Sequence, residues 1–300
     1  MHAWEQIQKT VEYIEEHVSE EMKIEDLASV ASLSPFYFQR LFSRLVKKPV
    51  NEYIKLRRLA KASEALLSND ERIVEIALSF GFNSHETFTR AFKSAFGITP
   101  EEYRAHPIRL NNFSKPQLLL NYTLVDENMP LIADDIIIEI SQKVISSPLY
   151  FIGYVAEEPI SQMPGADKTG IDGLGKLWDS FHEAKPDIKE LKDSGGELGV
   201  AFAGTKEGYY RYFAGGEANS DAAKGYASWE LREGKYIVCS FEAEDFEHLV
   251  MDAVYKAQRY LYETWLPHHQ IKTEPFAAER YASHDPETNS MEIWLKIEGE

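Results

Sequence analysis

Cysteine is nearly absent from this chain. Cys239 stands alone in 300 residues, so no intrachain disulfide can form, and a cytosolic setting fits. Long apolar runs are missing too. Stretches such as Ile136-Ile137-Ile138 fall far short of the ~20 residues that span a bilayer, and the acid-rich first twenty residues are unlike a signal peptide. Clustered metal ligands are scarce. His268-His269 is the nearest approach, but adjacent histidines do not converge on one ion, so a surface loop is expected and neither metal nor cofactor is called for. The Gly-rich stretch Gly170–Gly175 has no strand immediately before it, and so reads as a loop entering a helix rather than a phosphate cradle.

Positive charge is also in deficit: 32 Lys and Arg stand against 49 Asp and Glu, a net −17. That total would argue against a nucleic-acid partner if it were evenly spread, but it is not. Residues 1–110 carry 15 basic and 16 acidic side chains, while residues 111–300 carry 17 and 33. From Ser34 to Lys61 there are eight Lys or Arg and one acid, Glu52. The strongly acidic second half should be repelled by phosphate and is expected to point away from it.

What is present is one pattern written twice. The first copy runs Asp26-Leu27-Ala28, Ser32-Leu33-Ser34, Phe38-Gln39-Arg40-Leu41-Phe42; the second runs Glu75-Ile76-Ala77, Gly81-Phe82-Asn83, Phe88-Thr89-Arg90-Ala91-Phe92. Each has a small Ala in a short apolar helix, a tight turn, a capping Ser or Asn and a helix carrying F-x-R-x-F, as two helices packed at a steep angle require. Ser34 caps a helix with Pro35 at its first position. Ser84 or Asn83 caps the second, and Gly97 ends it. Gly81 suits the positive φ of the inter-helix turn. Ser32 occupies that place in the first copy, so its turn is expected to be strained or differently closed. Residues 50–67 read as a connecting helix of about 27 Å, against about 34 Å between successive major-groove faces.

The basic outer faces of these helices could be merely solvated. The whole pattern, however, resembles the AraC/XylS family over about Trp4–Arg109. The matches are Ala28 with Phe38–Phe42, R-R-L at Arg57–Leu59, Ala77 with Gly81-Phe82, and Phe88–Lys93 running into Phe96-Gly97-Ile98-Thr99-Pro100-Glu101-Glu102-Tyr103-Arg104. The resemblance implies an all-α double helix-turn-helix over residues 1–108. Base contacts would come from Phe36, Gln39 and Arg40, and from His85, Glu86, Thr89 and Arg90, with Tyr37 and Arg44 flanking. Lys93 faces outward on the second helix, and Arg58 is expected to meet phosphate from the connecting helix. Double-stranded DNA and RNA polymerase are the implied partners.

A linker is expected over 109–133, with 118–124 open between a short strand and docked chain. Beyond it, strands are expected at 136–140, 149–155, 198–202, 208–213, 227–231, 235–241, 276–281 and 291–297, with helices at 173–183 and 246–265. Strands, helix, strands, then the same again describe an internally duplicated α+β domain with an antiparallel sheet over 134–300. This half resembles the GyrI-like effector-binding domain. The resemblance rests on Tyr212–Glu217, Gly234–Val238, Thr264–Pro267, Pro275–Tyr281 and Glu292–Trp294. One departure is visible: two Ala separate Phe276 from Glu279, where the family often has Phe directly before the Glu. The resemblance implies a small-molecule effector, aromatic or cationic and drug-like, in a cleft holding Glu279. Trp178, Tyr154, Tyr210, Phe213, Tyr281 and Trp294 are its candidate walls. The plainer reading makes these rings ordinary core and Glu279 a surface residue of a strand. Taken together, the halves imply an effector-controlled transcription regulator with the domain order of the right-origin-binding type. The alternative is a GyrI-like hydrolase of small electrophiles fused to a DNA-binding domain.

Overall fold

A computed structural model describes residues 3–68, 71–133, 136–163, 169–193, 195–220, 225–281 and 290–299. The chain divides into two compact units. The first comprises residues 1–119 and 165–172; the second comprises 120–164 and 173–300.

Unit 1 holds seven helices among the described residues: α1 (Ala3–Glu16), α2 (Ile24–Val30), α3 (Pro35–Val46), α4 (Val50–Ser68), α5 (Ile73–Ser79), α6 (His85–Phe96) and α7 (Pro100–Ala105). They surround two apolar cores. One collects Ile7, Val11, Ile14, Leu27, Phe38, Phe42, Val50, Tyr53 and Ile54. The other collects Leu59, Ala62, Leu66, Ile76, Phe82, Phe88, Phe92 and Phe96. Helix α4 therefore serves both, its first half in one core and its second half in the other. Each fully buried Phe contributes on the order of 1.5–3 kcal/mol, so each core can hold its own helix pair.

The local signals explain the helix ends. Ser34 Oγ accepts from the Tyr37 amide, and Ser84 Oγ accepts from the Thr87 amide. Thr99 and Glu102 cap α7 reciprocally, each side chain bonded to the other's amide. The two inter-helix turns close alike: Leu33 N donates to Ala28 O and Phe82 N to Ala77 O, both at 2.9 Å. Ser32 takes φ +54° where Gly81 takes +73°, and Lys47 takes +62° where Gly97 takes +82°. Of the two expectations for the Ser32 turn, strain is what the backbone shows.

The segment expected as a linker carries structure. Strand β1 (Leu110–Asn111) pairs antiparallel with residues 170–171 of unit 1. The ambiguous stretch is a short helix, α8 (Leu118–Tyr122). Leu118 is buried in the first core, and its amide donates to Gln8 Oε1.

In unit 2, β2 (Leu131–Ala133), β3 (Ile136–Ile145) and β4 (Leu149–Pro159) come first. The chain then returns to unit 1 as β5 (Gly170–Ile171) before α9 (Gly173–Ala184), β6 (Glu197–Ala203), β7 (Tyr209–Ala218), β8 (Ala227–Leu231) and β9 (Gly234–Glu242). A continuous helical stretch follows: α10 (Phe246–His248), a π-helical turn Leu249–Ala253, α11 (Val254–Arg259), a second π-helical turn Tyr260–Trp265, and α12 (Leu266–His269). Strands β10 (Phe276–Tyr281) and β11 (Ser290–Lys296) complete the unit. Nine strands form one sheet in the order β2-β3-β9-β11-β10-β6-β7-β4-β8, and all its pairings are antiparallel.

That order shows the duplication. β3-β4-α9-β6-β7 and β8-β9-α11-β10-β11 are equivalent runs, related by a pseudo-twofold between β6 and β10. Each run's leading strand is exchanged: β3 pairs with β9 of the other run, and β8 with β4. Residues 146–148 join β3 to β4, although five strands separate them in the sheet. So few residues reach only about 10 Å, so the sheet must curl strongly to bring them together.

Candidate functional site

The unit 1 helices sort their basic residues into two kinds. Arg40 and Arg44 on α3 and Arg90 on α6 are exposed, with no ion-pair partner among the described residues. Gln39, Glu86 and Lys93 are exposed beside them, and Phe36 and Tyr37 stand 67% and 63% exposed at the start of α3. Such aromatic exposure is unusual for a surface that stays in water. Two of the expected contacts are less open. His85 is partly buried, with Nε2 2.7 Å from Glu101 Oε1, and Thr89 is half-buried with its hydroxyl lacking a hydrogen-bond partner. The arrangement offers guanidinium and amide groups suited to base edges, with Lys93 beside them suited to phosphate.

Three other arginines, Arg57, Arg58 and Arg104, belong to the architecture. Arg57 grips Glu15 through Nε and Nη2, both at 2.8 Å, and Tyr53 donates to the same carboxylate at 2.6 Å. Arg104 donates to Leu66 O and Glu71 O. Arg58, expected on phosphate, instead donates to three backbone carbonyls: Val18 O at 2.9 Å, Glu20 O at 2.6 Å and Gly81 O at 3.2 Å. A guanidinium held in that way is a brace of the fold.

In unit 2, α9 packs on β4 and β7, and α11 packs on β11 and β9. The two central strands, β10 and β6, lie between these supports. Glu279 sits on β10 directly opposite Gly199 of β6, only 8% exposed. Tyr212 Oη donates to Glu279 Oε2 at 2.5 Å, and Gln258 Nε2, from α11, donates to Oε1 at 2.8 Å. Burial first, then the charge of Glu279 and the neighbouring Tyr281, hold the Tyr212 phenol well above its ordinary pKa. Tyr212 is therefore a fixed donor to this carboxyl group.

Pairing register decides which rings share this face. Glu279 lies opposite Gly199, Gly199 opposite Ala214, and Ala214 opposite Tyr154. Two-residue alternation then puts Tyr212 and Tyr210 on the same face. Trp178 of α9 packs with Tyr210 and Tyr212, and its ring meets Tyr281 edge-on at 5.4 Å. The structure thus brings Tyr154, Tyr210, Trp178 and Tyr281 to the face of Glu279. Phe213 and Trp294 are not among them. Phe213 pairs with Val200 and Trp294 with Ala278, which places both in the core on the opposite face.

Sequence reasoning missed Tyr212, Gln258 and a second buried carboxylate, Glu197. Glu197 is 3% exposed and lies opposite Tyr281. Lys185 Nζ is 2.6 Å from it and His182 Nε2 is 3.0 Å away. The His182 ring also packs on Trp178. No group of three His, Cys, Asp or Glu fit for a metal occurs among the described residues. His269 stacks on Trp265 and bonds to its carbonyl. No described helix is long and apolar enough to cross a membrane.

Comparison with known proteins matches both halves. A family model described as a helix-turn-helix domain covers residues 27–106, and one described as an integron-associated effector binding protein covers residues 163–297. The chain is 47% identical over 98 residues to the HTH-type transcriptional regulator YbfP of Bacillus subtilis, a stretch covering 33% of this chain and 33% of the relative. It is 34% identical over 115 residues to the Right origin-binding protein of Escherichia coli, covering 35% and 40% respectively. The chain thus spans well under half the length of these two. It is also 36% identical over 98 residues to the Regulatory protein SoxS of Salmonella typhimurium, covering 33% of this chain and 92% of SoxS. With two helix-turn-helix units in residues 1–108 and nearly all of SoxS matched, the chain belongs to the AraC-type helix-turn-helix family and carries behind that domain a GyrI-like effector-binding one.

Proposed function

We propose that the protein is a transcription regulator that reads double-stranded DNA through α3 and α6, within residues 1–108, and responds to an organic cation bound over Glu279, within residues 134–300. RNA polymerase is the protein partner through which such a regulator acts. One observation carries the ligand reading: a carboxylate nine-tenths buried on a central strand, oriented by Tyr212 and Gln258, with Trp178 and Tyr281 beside it. A flat or bulky cation satisfies both partners, since charge pairs with Glu279 and the ring faces add cation–π attraction. Strand β5, hydrogen-bonded within unit 1, leads through Asp172 straight into α9, which carries Trp178. That covalent path is available for occupancy of the site to reach the DNA-reading helices.

The test is calorimetric titration with N-methylacridinium and with acridine, at a pH where acridine is neutral. The cation should bind more tightly. Glu279→Gln should weaken it about tenfold, ~1.4 kcal/mol, and leave acridine unchanged. Equal affinities, or an unaltered cation affinity in the variant, would return Glu279 to a structural role. Chromatography of the titrated sample separates a sensor, which returns its ligand intact, from a hydrolase acting on electrophilic analogues.

A further inference from the structure

Arg58 stands at the seam between the two lobes of unit 1. Helix α4 gives Tyr53 and Ile54 to the first core and Leu59 and Ala62 to the second, and Arg58 falls between them. Its Nε and Nη2 donate to Val18 O and Glu20 O, in the stretch joining α1 to α2. Its Nη1 donates to Gly81 O, in the turn that sets α6 against α5. A Cβ on Gly81 would lie 2.7 Å from the Arg58 Cζ, so the turn closes directly onto the guanidinium. One planar fork thus touches both lobes of unit 1 through their backbone.

The connecting helix curves only gently and joins the lobes along its own axis, whereas the Arg58 bonds tie the α1–α2 stretch to the second turn off that axis. A guanidinium is a rigid planar donor set that a flexible ammonium cannot imitate. We propose that Arg58 is a positioning residue that fixes α3 relative to α6, so that the protein accepts only one spacing of its two half-sites on DNA. The proposal rests on both helices reading DNA. Each base pair inserted between half-sites moves the second by about 3.4 Å and turns it by about 35°, a misfit that only a rigid protein would register.

The test uses full-length protein and a duplex that the wild type selects from a random library. Anisotropy is compared on that duplex, on versions with one base pair added or removed between the half-sites, and on a version with one half randomised. Wild type should lose at least about tenfold on either spacing change. Arg58→Gln should lose affinity for the selected duplex and show less than about threefold discrimination among spacings. Its affinity for the single half-site should match the wild type. Arg58→Lys keeps the charge but not the fork, so it should behave like Arg58→Gln; it also decides the matter if the Gln variant does not fold. A phosphate contact would be restored by Lys, and that restoration would overturn the proposal. So would a wild-type spacing preference in either variant, or equal losses on full and half sites. A wild type that selects no duplex would instead overturn the DNA-reading assignment itself.

Discussion

Gly199 and Tyr212 compete for one space. A Cβ on Gly199 would lie 1.9 Å from the Tyr212 hydroxyl and 3.1 Å from Glu279 Oε2. The phenol can cross strand β6 and reach the carboxylate only because residue 199 has no side chain. Gly199→Ala should therefore displace Tyr212 and break its bond to Glu279. Overpacking of this kind costs about 1–3 kcal/mol, and the cation affinity should fall with it. A urea titration and a calorimetric titration of the same variant check both effects. An unchanged cation affinity in a destabilised protein would mean that Tyr212 supports the fold without orienting Glu279.

The site was half legible in the sequence, and strand periodicity explains which half. Glu279 and Tyr281 are two apart, as are Tyr210 and Tyr212, so each pair shares a face. Tyr210 and Phe213 are three apart and cannot both line one cleft of a regular strand. Phe213 has the wrong parity for that face, and Tyr212 has the right one. Trp294 was lost differently. Its face depends on β11 pairing Ile293, not Trp294, with Glu279, and register between distant strands is not written locally. Gln258 lies on a helix interrupted by two π-helical turns, where a 3.6-residue period misplaces faces. In unit 1 the caps, turns and apolar stripes were all local signals and were readable. The roles of the arginines were not, because whether a cation is braced or exposed depends on what the fold brings to it.

Ser32 stores strain that its counterpart avoids. Both inter-helix turns have the same hydrogen bonds, but a serine holds φ +54° where the second copy uses glycine. A left-handed non-glycine residue costs roughly 1–2 kcal/mol. Ser32→Gly regains part of that and loses part to unfolded-chain entropy, so it should stabilise the protein by about 0.5–1 kcal/mol. Ser32→Val, β-branched in the same backbone, should destabilise it. Denaturant midpoints at constant slope measure both; a neutral or destabilising Gly would mean that the turn relaxes without strain.

Acid should loosen the protein through two buried carboxylates. At Glu15 burial raises the pKa, but the hydrogen bonds and charge of Arg57 and the Tyr53 hydroxyl outweigh it and hold the group below its ordinary value. At Glu197 burial is likewise outweighed by His182 and Lys185. A depressed carboxylate contributes stability above its unfolded pKa and loses it as pH falls through the folded one. Stability should thus decline progressively below the ordinary glutamate value of about 4.3. Glu15→Gln should destabilise the neutral-pH protein by a few kcal/mol, at the lower end of the ~3–5 kcal/mol for breaking a buried pair, and flatten the acid decline. Melting temperatures of wild type and variant across the acid range show it; parallel curves would place the acid sensitivity elsewhere.

Arg40 and Arg90 hold equivalent places in the two F-x-R-x-F helices, exposed and without the carbonyl partners that hold Arg58 and Arg104. If they read bases, Ala at either should cost ~1–3 kcal/mol on the selected duplex and almost nothing on scrambled DNA. Lys93→Ala, at the edge of the same face, should weaken both duplexes alike and reduce the dependence of log K on log salt by about one. The two behaviours separate reading from holding without a structure of the complex. Anisotropy titrations at three salt concentrations supply the data. Equal losses on both duplexes for Arg40→Ala and Arg90→Ala would make these arginines phosphate contacts. Sequence preference would then have to come from Gln39 and the exposed Phe36–Tyr37 pair, or from the deformability of the DNA itself.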